Sequence, residues 1–240
     1  MAEINLLDLY PRSKRPIEER GKRRLAGGDW LSSEVKQPDN TDILLEHKML
    51  SIARQFGREY FDGDRLYGYG GYYYHPRFWT DTVKKISEHY KLANTSSILD
   101  VGCAKGFMLN DFKKLLPGLS VSGLDISQYA YDHALAEMKP FIKVGNARQL
   151  PYPDKSFDLV ISINTIDHLP LEECRQALKE IQRVSRKNAF ISVHAWRTEE
   201  ERELLLKWNL TALTYMHTDE WKKLFSEAGY TGDYWWFIAE

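Results

Sequence analysis

Residues 98–107 read Ile-Leu-Asp-Val-Gly-Cys-Ala-Lys-Gly-Phe, an apolar strand that enters a glycine turn and leaves as a helix. Glycine at Gly102 and Gly106 lets a backbone pass within contact distance of a ligand where a Cβ would clash. The open helix N-terminus adds free N–H groups facing the same place. Asp125, nineteen residues after Gly106, ends the next strand in Gly-Leu-Asp-Ile. A carboxylate there can accept from both hydroxyls of a ribose. The run 145–151, Gly-Asn-Ala-Arg-Gln-Leu-Pro, follows the third strand as a polar turn at the sheet's carboxyl edge, where doubly wound folds bind ligands. A nucleoside site is the chemistry these three features share. The dinucleotide fingerprint G-x-G-x-x-G is not met, because Cys103, Ala104 and Lys105 separate the two glycines.

Acid–base groups cluster after the fourth strand, in Ser162-Ile163-Asn164-Thr165-Ile166-Asp167-His168. Histidine titrates at about 6.5 when unperturbed, which suits general-base work near neutrality. His168 is the first candidate base, Asp167 a candidate to orient it, and His194 at the end of the fifth strand a second base. Each also has an ordinary reading, as a helix-start cap, a turn acid or a packed ring.

Residues 60–79 hold nine aromatics interleaved with Gly63, Gly68, Gly70 and Gly71. Arg65, His75 and Arg77 lie among them. The expected arrangement is a lid that offers Arg65 and Arg77 to an anionic acceptor, since the guanidinium fork matches two oxygens. Tyr69, Tyr72 and Trp79 would supply apolar or stacking walls, or else a plain cap core. Arg197 and Trp208, with Tyr215, would close the other side. No C-x-x-C or H-E-x-x-H motif occurs, so no metal is expected. Cys174 reads as a buried small hydrophobe and Cys103 as a spectator in the turn.

The elements that must position these residues alternate in type. Strands are expected at 97–101, 120–125, 141–144, 157–163, 189–194 and 234–238. Helices are expected at 80–90, 105–116, 127–138, 171–186, 198–213 and 218–228, the last capped by Thr218 and closed at Gly229. Leu45, Met49, Ile52 and Phe56 recur at helical spacing before the Tyr/Gly segment. Short apolar strands separated by helices imply βαβ units and a parallel sheet covered on both faces.

The expected fold is α/β, Rossmann-like and doubly wound, with a mostly parallel sheet taken to be seven-stranded, one strand more than the pattern marks, and an N-terminal helical, aromatic lid. Three regions follow: a flexible basic arm over 1–40, a cap over 41–94, and a main domain over 95–240 with an insertion at about 196–216. The arm carries seven basic residues between Arg12 and Arg24.

The chain of 240 residues has 33 Lys plus Arg against 34 Asp plus Glu, which argues against a whole-molecule footprint for nucleic acid. Apolar runs are too short to span a bilayer, and 1–10 lacks a basic leader region, so no membrane insertion is expected. Two cysteines suggest a reducing, cytoplasmic setting. Trp235 and Trp236, with the Tyr-rich segment, are candidate contacts of a homodimer.

The D-V-G-C-A-K-G turn, Asp125, and the run 146–162 (N-A-R-Q-L-P-Y-P-D-K-S-F-D-L-V-I-S) resemble the class I S-adenosylmethionine-dependent methyltransferases, in their small-molecule branch. The resemblance implies S-adenosyl-L-methionine as cofactor. It implies that Asp100, Gly102, Ala104 and Gly106 surround the methionine part and that Asp125 holds the ribose. Asn146 and Ala147 would flank the adenine, Asn164 would lie by the methyl donor, and Cys103, Phe107, Ile126 and Arg148 would be further cofactor contacts. Ala104 stands where the family usually has a glycine, and Asn146 where it often has an aspartate. More loosely, 60–79 and the tail resemble methyltransferases of bacterial surface-polysaccharide clusters. That implies a sugar, nucleotide-sugar or phosphate-containing acceptor and O-methylation, a phosphoramidate group included. Alternatives from other classes are an RNA or protein methyltransferase, a non-catalytic cofactor-binding scaffold and, weakly, an NAD-dependent oxidoreductase.

Overall fold

The computed structural model describes residues 1–11, 48–68 and 72–239. Most of the basic arm, including 12–40, lies outside them, as does Tyr69.

Seven strands form one sheet: β1 (Ser97–Val101), β2 (Ser120–Asp125), β3 (Ile142–Val144), β4 (Phe157–Ile163), β5 (Ser185–Trp196), β6 (Met216–His217) and β7 (Asp233–Phe237). The order is β3-β2-β1-β4-β5, and the far edge of β5 is shared by β7 and then β6. Every pair is parallel. The chain winds outward from β1 to β3 and then returns to β4 on the other side. The crevice between the carboxyl ends of β1 and β4 is therefore a topological switch point, where such sheets bind ligands.

The strands read as continuous apolar runs because both faces are covered. Ile98 points into one core with Val83 and Ile86 of α2 (Pro76–His89) and Met108, Leu109 and Phe112 of α3 (Phe107–Leu115). Leu99 points into the other, with Cys174, Leu178 and Ile181 of α5 (Leu171–Val184) and Trp221 and Phe225 of α7 (Thr218–Glu227). The remaining helices are α1 (Arg58–Asp62), α4 (Gln128–Asp132) and α6 (Glu199–Trp208); residues 48–53 are also helical. Among the described residues no helix is long and apolar enough to cross a membrane.

Several elements differ from the sequence expectation, for physical reasons. The helix expected over 127–138 stops at Asp132, because the Leu135 amide donates instead to the Lys105 carbonyl of the glycine turn (3.1 Å). The helix expected from residue 80 starts at Pro76, whose fixed φ suits a first helical position, and His75 caps it by accepting from the Arg77 amide. His217, not Thr218, caps α7 in a capping box with Glu220. The helix expected to 213 ends at Trp208, where Asn209 closes a turn onto Ala212 through two 2.9 Å bonds.

The first residues are not a loose arm. The Ile4 amide donates to Tyr234 and Tyr234 donates to Ala2, laying the N-terminus along β7, and Leu6 is buried in the core. Trp236 is likewise buried, stacked on Phe225, so it is not a surface contact for a second copy.

Candidate functional site

The turn after β1 is held by its neighbours. Gly102 sits at φ +89°, and a Cβ there would lie 2.1 Å from the Thr165 hydroxyl oxygen of the β4 loop. The Gly102 amide donates to the Leu124 carbonyl (2.7 Å), drawing the turn onto the end of β2. The Ala104 amide donates to one carboxylate oxygen of Asp125 (2.7 Å), and the Ser127 amide to the other (2.9 Å). Asp125 thus ties the β1 and β2 loops together while keeping lone pairs for a ligand.

Ala104 itself adopts φ +48°, a left-handed conformation that costs a residue with a Cβ roughly 1–2 kcal/mol. Ala104→Gly should relieve this and raise unfolding stability by about 1 kcal/mol, net of the extra freedom glycine gains when unfolded. A urea midpoint equal to or below wild type would show that the turn carries no such strain.

Asp100 ends β1 beside Asp125 and is buried, yet no hydrogen bond to its carboxyl is found among the described residues. Burial first, and then the Asp125 charge, push its pKa up to about 8. Burial also raises Asp125, against the pull of its backbone donors. The sign of the pH dependence follows. A raised pKa means the protonated carboxyl favours the fold at low pH, and that contribution is lost as pH rises through about 8. Asp100→Asn removes the titration, so its unfolding midpoint should gain on wild type between about pH 5 and pH 8. A constant difference would mean that Asp100 ionises normally.

Beyond β3, the Asn146 side chain accepts from the Arg148 amide (3.0 Å), which shapes the turn. Ala147 is buried, and Arg148 pairs with Glu173 (2.8 Å). Ile126, next to Asp125, is 52% exposed, an unusual position for isoleucine beside two buried carboxylates. Cys103 is buried in the α2/α3 core, and Phe107 opens α3 against Tyr74.

At the end of β4, Asn164 has φ +46° and accepts from the Ser192 hydroxyl (2.9 Å). Asp167 is fully buried; its Oδ2 accepts from the His194 amide (2.8 Å) and contacts His194 Nδ1. Burial alone would raise Asp167, but His194 outweighs it and holds the carboxyl below the usual range. Asp167 Oδ1 and His194 Nε2 are both buried and have no partner among the described residues. Trp208 and Phe237 close over the His194 ring at 5.3 and 4.8 Å between centroids. His168 lies one residue on, with Nε2 3.2 Å from the Thr211 hydroxyl and its ring stacked on Phe56 (5.5 Å, 12°). Burial lowers the His168 pKa to about 4, helped by His194 and Arg54 and opposed by Asp167. Donor atoms of Asp167, His168 and His194 lie within 4.8 Å of one another, a grouping that can hold a metal ion. Here Asp167 Oδ2 and His194 Nδ1 are spent on each other, and His168 Nε2 faces Thr211.

The sequence-chosen cap residues are more scattered. Arg65 lies over the Tyr72 ring (5.7 Å) and Arg77 over Phe78 (4.7 Å); both are exposed, and no carboxylate pairs with either among the described residues. His75 is spent as a helix cap, and Trp79 packs on Tyr10 (4.7 Å). Arg197 pairs with Glu3 (3.0 Å). Sequence reasoning missed Phe56, Asp62, Lys105 and Thr211. A lysine inside a glycine turn was the one visible signal among them.

A family model described as "Methyltransferase domain" matches residues 99–193, which takes in Asp100, Asp125 and the Asp167–His168 pair but not the cap. A tRNA (carboxymethyluridine(34)-5-O)-methyltransferase of Arabidopsis thaliana is 33% identical over 132 residues, covering 54% of this chain and 31% of that protein. Ajmaline N-methyltransferase of Rauvolfia serpentina is 36% identical over 121 residues, covering 46% of this chain and 40% of that protein. The chain thus spans less than half the length of these two curated relatives. Among solved structures, YcgJ protein from Bacillus subtilis superposes with a TM-score of 0.50 at 20% identity, covering 61% of this chain and 66% of the other, a likeness of fold.

Proposed function

We propose that this chain, whose residues 99–193 match a family model described as "Methyltransferase domain", is a class I S-adenosylmethionine-dependent methyltransferase that transfers a methyl group to an oxygen of a small, anionic or sugar-containing acceptor. The observation that carries the donor half is the pair Asp100 and Asp125. Two buried carboxyls, Asp100 with no partner and Asp125 bonded only to backbone amides among the described residues, adjoin a turn whose Gly102 could not carry a Cβ. Those features fit a cationic nucleoside. In this reading Asp125 holds the ribose, Asp100 and the turn from Gly102 to Phe107 hold the methionine part, Ile126 and Ala147 face the adenine with Asn146 and Arg148 framing the loop, and Asn164 lies by the sulfonium. Bound there, S-adenosylmethionine supplies a methyl group already activated by its positive sulfur.

The protein's own work is then to position the acceptor, exclude water and take a proton when the acceptor is a hydroxyl. His168 is the proposed base. In the tautomer whose Nε2–H donates to Thr211, Nδ1 is the basic nitrogen, and the low pKa keeps the ring neutral at physiological pH. Asp167 and His194 brace the loop that carries it. Arg65 and Arg77, exposed and with no carboxylate partner among the described residues, are the proposed anion contacts, with Tyr72 as a wall beside them. Support for a surface-polysaccharide precursor comes from the sequence resemblance of 60–79 and the tail, and a cytoplasmic setting rests on the cysteine usage.

Isothermal calorimetry tests the donor half. S-adenosylhomocysteine should bind and NAD should not; the reverse preference would overturn the reading. A second reading, an RNA acceptor, draws on the tRNA methyltransferase relative and on the basic residues 12–24. Filter binding of RNA across a salt series separates the two, since phosphate contacts weaken steeply with salt.

A further inference from the structure

Lys105 stands inside the glycine turn, between Ala104 and Gly106, which both have positive φ. Its side chain is only 5% exposed, yet it carries an ammonium. That ammonium donates to Asp62 Oδ1 at the end of α1 (2.5 Å) and to the Tyr72 carbonyl (2.8 Å). The other Asp62 oxygen accepts from the Tyr129 hydroxyl on α4 (2.9 Å), the helix that follows Asp125. One carboxylate of the cap therefore grips the β1 turn and the β2 loop at once. Two more contacts fasten the same segment. The Ser127 hydroxyl donates to the Phe56 carbonyl (2.5 Å), and the Phe56 ring lies on His168. The loops after β1, β2 and β4 are thus each tied to Phe56, Asp62 or Tyr72.

Exposed ion pairs contribute little, but a pair with one end out of water is different. Removing Asp62 leaves the Lys105 charge buried against a lone carbonyl, so the lysine must find water, and the turn that carries it must move. Three residues of the turn, Gly102, Ala104 and Gly106, sit at positive φ, and its other ties are hydrogen bonds from its amides to Leu124 and Asp125 and from the Leu135 amide.

We propose that Asp62, acting through Lys105, is a positioning residue that makes ordering of the cap and shaping of the cofactor turn a single event. The inference rests on the reading that this turn holds S-adenosylmethionine. It implies that the nucleoside leaves only when the Asp62–Lys105 pair opens.

The test uses the full chain and two readouts besides activity. Hydrogen exchange is followed in ligand-free protein over 56–75 and 100–110, and the dissociation rate of S-adenosylhomocysteine is followed by stopped flow. Asp62→Asn should speed exchange in both segments together and raise the dissociation rate about tenfold or more. Asp62→Glu should restore both toward wild type. Lys105→Met, which removes the buried charge and leaves Asp62 with Tyr129, should also loosen the cap and serves if Asp62→Asn does not fold. Faster exchange in 56–75 with 100–110 unchanged, in either variant, would overturn the coupling. So would an unchanged dissociation rate. If wild type fails to bind S-adenosylhomocysteine, the underlying functional reading fails, while the joint exchange response still decides whether the pair couples the two segments.

Discussion

Asp125→Ala should weaken S-adenosylhomocysteine binding about 10²-fold or more, which corresponds to roughly 2.7 kcal/mol. The carboxylate is proposed to accept the ribose hydroxyls, and hydrogen bonds to a charged group contribute about 1.5–3 kcal/mol each. Its loss has a second cost. The Ala104 and Ser127 amides both donate to this carboxylate, so the alanine variant leaves two loop N–H groups without their acceptor. The Ala104 amide belongs to a turn already held at positive φ. Calorimetry on wild type and variant reads the effect directly. A dissociation constant within twofold of wild type would remove Asp125 from the site.

His168→Ala should lower turnover about 10²-fold or more when the acceptor is a hydroxyl, the usual span of general-base catalysis. Release of S-adenosylhomocysteine in the presence of sugars and sugar phosphates is the assay. The pH profile adds a sharper expectation. Burial holds the His168 pKa at about 4, so the acidic limb of kcat/KM should fall near pH 4 and not near the ordinary histidine value. The same shift has a stability consequence. A folded pKa below the unfolded value of about 6.5 means the unfolded chain binds more protons between the two, so stability is lost as pH falls from about 6.5 to about 4. His168→Ala should flatten that part of the stability curve. An unchanged turnover would show that the acceptor arrives already ionised, as a phosphoryl or carboxylate oxygen does.

The parts of this molecule that the sequence reveals are those set by local pattern. Ile98–Val101 and Phe157–Ile163 are apolar because helices cover both faces of the sheet, and such runs declare themselves as buried strands. The turn at Gly102 and the acid at Asp125 are legible because each closes a strand, and β1 and β2 then prove to be neighbours in register. What escapes is set by tertiary pairing. Asp62 and Lys105 are 43 residues apart, and Asp167 and His194 are 27 apart. No local rule predicts that either pair meets. The same competition ends α4 early, since the Leu135 amide satisfies the Lys105 carbonyl in place of a helical one. His75 shows the reverse case: its place among aromatics suggests chemistry, and the backbone entering Pro76 also uses its Nδ1 as a cap.

Crystals of the protein grown with S-adenosylhomocysteine give the most direct test. The account predicts its ribose hydroxyls on the Asp125 carboxylate, its methionine end against Asp100 and the Gly102 turn, and its sulfur facing Asn164 and His168. Density for the nucleoside at any other surface, or a turn that stays empty at saturating ligand, would contradict it.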